Sequence, residues 1–211
     1  MNFDYNNTED RKLYNVMSHV GSGLSHLLYS VKVVGEENIP QDEPFILVSN
    51  HIHFVDPVLL MVKARRSVHF MGKKEAFQNK FAAWFLTNTN TFPVARGQGD
   101  KAAIEYAVKL IRDGRVIGIF PEGTRSKDLK PHAAKGGVAL IARETKANVL
   151  PASIYCEQAK GLRRRITIRF GKLIPFEELD IPEEASAREL REAAERIMQH
   201  VVALWEEGHC E

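Results

Sequence analysis

The chain has 211 residues, 44% of them hydrophobic and 27% charged, with a formal net charge of +2. That mix suffices for one domain with a buried core and excludes a disordered, collagen-like or disulfide-stapled chain. The near-neutral balance gives no reason to expect a nucleic-acid partner.

The first ten residues, Met-Asn-Phe-Asp-Tyr-Asn-Asn-Thr-Glu-Asp, are acidic and polar, the opposite of a signal peptide's basic start. Cys156 and Cys210 are the only cysteines and stand in no metal-binding spacing, so a reduced cytoplasmic compartment is expected. From Leu13 to Val31 no Asp, Glu, Lys or Arg occurs. Larger apolar residues recur there at Leu13, Val16/Met17, Val20, Leu24, Leu27/Leu28 and Val31, a spacing of three and four. This predicts a helix with one apolar stripe, too interrupted by Asn15, His19 and serines to span a bilayer. Such a helix either packs on the core or lies in a membrane interface, attached peripherally on the cytoplasmic side. The expected organisation is an amphipathic helical segment over residues 1–30 ahead of one domain over 31–211.

Short apolar runs predict strands at Val31–Gly35, Phe45–Ser49, Val68–Met71, Thr91–Val94, Val116–Phe120, Val149–Tyr155 and Arg165–Phe170. Helical patterns fall between most of them, at Pro57–Ala64, Asn79–Leu86, Lys101–Arg112 and Gly137–Thr145. The alternation predicts an α/β domain whose mostly parallel mixed sheet, of about seven strands, is covered by helices. A last helix starts at the capping box Ser186-Ala-Arg-Glu189, with Leu190, Ala194, Ile197, Val201 and Leu204 as its buried stripe.

Two strand ends carry the residues suited to chemistry. Asn50-His51-Ile-His53-Phe-Val-Asp56-Pro57 follows directly on the run Phe45–Ser49. His51 and His53 could hold a metal, but zinc sites usually take three or four ligands and no Cys/His pair completes the set. Asp before Pro is also a strong helix start, with Asp56 as the cap and Pro57 as the first helical residue. The same carboxylate can orient the imidazole of His51 and make it a general base. His53 falls on the other alternation and reads as structural.

Phe120-Pro-Glu122-Gly123-Thr124-Arg125-Ser126 closes the run Val116–Phe120, a strand-end position where parallel sheets place ligands. Gly123 permits a sharp turn, Arg125 offers a planar fork suited to phosphate, and Thr124 and Ser126 add hydroxyls. Lys73 and Lys74, Arg96 and Lys135 follow other strands or precede a helix, so they gather toward the same edge; each alone is compatible with a solvated charge. Gly97-Gln-Gly99 lacks the Gly-Lys-Ser/Thr ending of a phosphate loop. Arg163-Arg164-Arg165 reads as a turn that faces either solvent or anionic headgroups.

Taken in order, four stretches resemble the motifs of the glycerolipid acyltransferases, most of all the bacterial 1-acylglycerol-3-phosphate branch. They are Asn50-His51-x4-Asp56-Pro57, Phe92-Pro-Val-Ala-Arg96-Gly, Phe120-Pro-Glu-Gly-Thr-Arg-Ser126 and Val149-Leu-Pro151-Ala-Ser-Ile154. The resemblance runs from about Val33 to about Gly171. It implies that His51 removes the acceptor hydroxyl proton with Asp56 as its orienting partner. It links Lys73, Arg96, Glu122, Gly123, Thr124 and Arg125 to the phosphorylated glycerol, and Pro151 to the acyl side. Ala152 is smaller than the valine that the fourth motif leads one to expect. The implied co-substrate is an acyl thioester of acyl-carrier protein or coenzyme A, with no metal or other cofactor. The implied partners are a membrane surface and a lysophospholipid, with acyl-carrier protein as one donor.

Overall fold

A computed structural model of the chain describes residues 3–95, 99–157 and 163–210. Among them, seven strands form one sheet in the order β1-β7-β6-β2-β5-β3-β4. These are β1 (Tyr29–Val34), β2 (Ile46–Ser49), β3 (Val68–Lys73), β4 (Thr91–Val94), β5 (Val116–Ile119), β6 (Val149–Tyr155) and β7 (Arg164–Phe170). All neighbours pair parallel except β6 and β7, which pair antiparallel. The helices are α1 (Tyr14–Leu28), α2 (Asp56–Lys63), α3 (Lys80–Asn88), α4 (Lys101–Arg112), α5 (Gly137–Thr145) and α6 (Ala187–Glu206). This is the α/β architecture expected from the alternating runs.

Central strand β2 is buried at every position, as a parallel strand covered on both faces must be. Its side chains alternate between two cores. Ile46 and Val48 join the side covered by α4, α5 and α6, while Leu47, with Phe45 just before the strand, joins the side covered by α1 and α2. The capping box of α6 is present: Ser186 N–H donates to Glu189 Oε2 at 2.7 Å, and Glu189 N–H donates to Ser186 Oγ at 3.3 Å.

Two expectations need correction. The first helix stops at Leu28, because Tyr29 turns extended (φ −135°, ψ 148°) and begins a ladder in which Tyr29 pairs with Arg164 and Val34 with Arg169. The arginine triplet is not a free turn: Arg164 and Arg165 open β7, and Arg164 is buried, donating to Tyr29 Oη at 3.2 Å.

Helix α1 also sits the other way round from an ordinary surface helix. Tyr14, Ser25 and the half-buried Met17, Ser18, Gly21 and Ser22 form its inward face, and Gly21 packs so tightly on α2 that a Cβ there would meet Val58 at 2.7 Å. The stripe Leu13, Val16, Val20, Leu24, Leu27 and Leu28 is exposed instead, between 37% and 68%. Among the described residues, no helix is long and apolar enough to cross a membrane.

Candidate active site

Because β2, β5, β3 and β4 run parallel, their C-terminal ends share one edge of the sheet. Val48 pairs with Ile119, so the third residue beyond each, His51 and Glu122, come side by side. The turn after β2 is anchored first by Asn50. Its fully buried amide donates to Ile154 O (2.9 Å) and accepts from Ile154 N–H (2.8 Å), tying the turn to β6. Both backbone groups of His51 are then held by the loop after β5. Its N–H donates to Glu122 Oε1 at 3.1 Å, and its carbonyl accepts from Ser126 N–H at 2.8 Å.

The His51 ring stacks on Phe120 (centroids 4.2 Å apart, planes at 18°), and Phe120 stacks in turn near Phe70 (5.6 Å, 14°). His51 Nδ1 lies 2.8 Å from Asp56 Oδ2. The same oxygen accepts from Ile52 N–H and His53 N–H, each at 2.7 Å. With a carboxylate facing Nδ1, the ring proton belongs on Nδ1 and Nε2 is left as the free acceptor. The Asp56 side chain is 1% exposed and the His51 side chain 12%, so the acid is sealed while the base can be reached.

Asp56 does not cap α2 as the Asp-Pro pair suggested. It is the helix's own first residue, no side chain caps that end, and the carboxylate turns back to the amides of Ile52 and His53. Those two N–H groups and the imidazole outcompete the helix amides because all three converge on one oxygen.

Glu122 is only 4% exposed and turned onto the His51 backbone, with Oε2 buried and unpartnered among the described residues. Burial pushes its carboxyl up to about 7, against the lowering effect of the His51 amide and of His132. Thr124 and Arg125 of the same loop are exposed. Gly123 adopts φ +70°, and a Cβ there would lie 2.8 Å from Lys135 Nζ, so glycine provides both the left-handed turn and the bed for the lysine. Lys73, at the end of β3, is exposed with its ammonium 3.8 Å from Glu75. Arg96 lies outside the described residues.

The His53 ring is not hydrogen-bonded to this pair among the described residues. Its Nδ1 is buried without a partner among the described residues, and burial together with the cations Arg164 and Arg125 pushes its pKa down. Among the described residues, no group of three or more His, Cys, Asp or Glu could hold a metal ion.

Pro151 is not brought together with His51. It sits inside β6 opposite Val48, on the α6 side of the sheet, where Gly171 and Leu204 approach each other next to it. His51 and Phe120 sit at the other face, beside the core that contains Phe70. Sequence alone gives no sign of the tie between Asn50 and β6, of the stacking of the Phe120 ring on His51, or of the hydrogen bond between Glu122 and the His51 backbone. The only available signal was register, which three residues beyond a strand end do not reveal by themselves.

A parallel sheet whose C-terminal edge presents a His–Asp pair beside an Arg-bearing loop defines a group-transfer or hydrolytic site. The Acyltransferase family model matches residues 30–155, and the chain belongs to that family. It is similar to the 1-acyl-sn-glycerol-3-phosphate acyltransferase of Bacillus subtilis, 39% identical over 124 residues, which is 58% of this chain and 61% of that protein. The protein of the same name from Streptococcus pneumoniae is 33% identical over 150 residues, 68% of this chain and 55% of that one. The chain thus spans less than two thirds of either relative. Among solved structures, the 1-acyl-sn-glycerophosphate (LPA) acyltransferase of Thermotoga maritima matches with a TM-score of 0.73 at 25% identity, covering 92% of this chain and 79% of that one.

Proposed function

We propose that the protein moves a fatty acyl group from a thioester of acyl-carrier protein or coenzyme A to the free hydroxyl of 1-acylglycerol 3-phosphate, giving phosphatidic acid. The observation that carries this reading is the His51–Asp56 contact of 2.8 Å at the strand edge that also bears the exposed Arg125 loop. His51 Nε2 takes the acceptor's hydroxyl proton as its oxygen attacks the thioester carbonyl. The tetrahedral adduct collapses, the C–S bond breaks, and the thiolate leaves to be reprotonated by the imidazolium. Asp56 stabilises that imidazolium and fixes its tautomer. A thiolate is already a competent leaving group, so the protein needs to supply only a base and alignment of two substrates.

Arg125, Thr124 and Lys73, each exposed at this edge, are assigned to the acceptor's phosphate. Glu122 acts behind them by holding the His51 backbone. Substrate and product are both lipids, and the exposed stripe of α1 supports work at a bilayer surface, attached peripherally on the cytoplasmic side. The test crosses both donors with three acceptors: 1-acylglycerol 3-phosphate, glycerol 3-phosphate and a lysophospholipid bearing a headgroup. Thiol release that depends on the first acceptor is the expected result. Preference for either of the others would replace the acceptor named here, and no acceptor-dependent release would remove the reaction altogether.

A further inference from the structure

Apolar surface at this face of the protein is not confined to α1. Phe54, directly after His53, is 67% exposed. On α3, Phe81 is 75% exposed and Trp84 43%, and their rings stack with centroids 6.2 Å apart. Ala83 is the buried residue of α3, so Phe81 and Trp84, three apart, share its outward side. Lys80, Lys73 and Lys74 are exposed close by in the chain.

Topology puts these elements on one side. The crossovers β2–α2–β3 and β3–α3–β4 progress in the same direction along the sheet, and right-handed crossovers in one direction cover one face. Side-chain contacts agree. Phe77, just before α3, lies over Gly72, where a Cβ would meet its ring at 3.1 Å. Gly72 faces the same way as Phe70, which belongs to the core under α1 and α2. Two large aromatic rings held in solvent and bordered by lysines suit a headgroup layer. There the rings find a half-apolar medium and the ammoniums meet anionic lipid.

We propose that Phe81 and Trp84 of α3 form a second bilayer contact which, with α1 and Phe54, seats the His51 edge on an anionic lipid surface. This rests on the reading that the acceptor is a bilayer lipid. It adds that the catalytic edge is approached between two apolar contacts, so the acceptor's hydroxyl reaches His51 without the lipid leaving the interface.

Of the chain's two tryptophans, Trp205 lies on α6, so Trp205→Phe leaves Trp84 as a lone reporter. Vesicles of phosphatidylcholine and phosphatidylglycerol (3:1), with brominated phosphatidylcholine as quencher, should quench Trp84 fluorescence. In the unmodified background, Phe81→Ser/Trp84→Ser should weaken co-sedimentation with those vesicles by about tenfold or more, equivalent to about 1.4 kcal/mol. Its melting temperature should be unchanged, because both side chains are exposed. Leu24→Ser/Leu27→Ser measures the α1 contact separately. Unquenched Trp84, or undiminished sedimentation of the aromatic double variant, overturns the proposal even if the leucine variant is released. The same holds if the aromatic variant keeps its vesicle binding and loses turnover only with acyl-carrier protein as donor, which would make the pair a protein dock. Should Trp84 be quenched while no acyl transfer to any lysophospholipid occurs, the contact stands and the proposed reaction falls.

Discussion

Replacing Asp56 with Asn tests whether the carboxylate works as the partner of a base or only holds a turn together. One oxygen of Asp56 receives Ile52 N–H and His53 N–H at 2.7 Å and His51 Nδ1 at 2.8 Å. Asn can present an oxygen in the same place, so the turn can persist with three neutral hydrogen bonds in place of three charge-assisted ones. At about 1 kcal/mol lost per bond, destabilisation should stay within about 3 kcal/mol. What Asn cannot do is balance the imidazolium that forms as His51 accepts a proton. The same substitution in the serine-protease triad costs about 10⁴ in kcat, and a fall of roughly 10³–10⁴, or about 4–5.5 kcal/mol of barrier, is expected here. The assay is thiol release at saturating acceptor, with a thermal melt alongside. Retention of more than a tenth of the activity in a folded Asp56→Asn protein would refute the pairing and leave Asp56 as a structural residue. Asp56→Ala is the weaker probe. It strands two amides at about 1–3 kcal/mol each and confuses folding with catalysis.

His53→Ala should keep most of the turnover that His51→Ala loses. Equal losses together with stoichiometric bound zinc would instead make the two histidines metal ligands. Arg125→Ala removes a charged hydrogen bond worth about 1.5–3 kcal/mol, so the acceptor KM should rise roughly 10- to 100-fold while donor binding is unchanged; weakened donor binding with an unchanged acceptor KM contradicts the assignment. For Glu122, burial raises the carboxyl from its ordinary 4.5 to about 7. Between these values the folded state holds a proton that the unfolded state releases, so stability falls as pH rises through that window, by about 3 kcal/mol at most. Denaturant unfolding across pH 4.5 to 8 should show that decline, and Glu122→Gln, which cannot ionise, should lose it. A decline of equal size in both proteins would place its origin elsewhere.

Much of the fold could be read directly, because β2, β5 and β6 are short apolar runs buried on both faces and each is punctuated by a turn or a helix start. What was hidden depended on partners distant in the chain. The apolar spacing continues through Val31, yet Tyr29 leaves the helix to pair with Arg164, 135 residues away. Periodicity also locates the stripe on α1 without saying which side is covered. The small face of Gly21 and the serines allows close approach to Val58, so that face packs and the leucines remain outside. His51 and Asp56 were legible as a pair because they lie within one turn. The destination of Glu122 was not, since only the Val48–Ile119 register carries it behind His51. Pro151 was marked by its motif, but strand alternation sends it to the α6 side of the sheet.

The central claim is that His51 is the base for acyl transfer to a phosphorylated glycerolipid, and one comparison tests it most directly. Thiol release and phosphatidic acid formation are measured together for the unmodified protein and for His51→Ala, with an acyl thioester and 1-acylglycerol 3-phosphate. The unmodified protein should release one thiol per phosphatidic acid, and only with acceptor present. His51→Ala should keep its melting temperature and lose roughly 10²–10⁴ of the rate, the range a positioned base supplies. A folded His51→Ala protein that still forms phosphatidic acid at the unmodified rate would contradict the account.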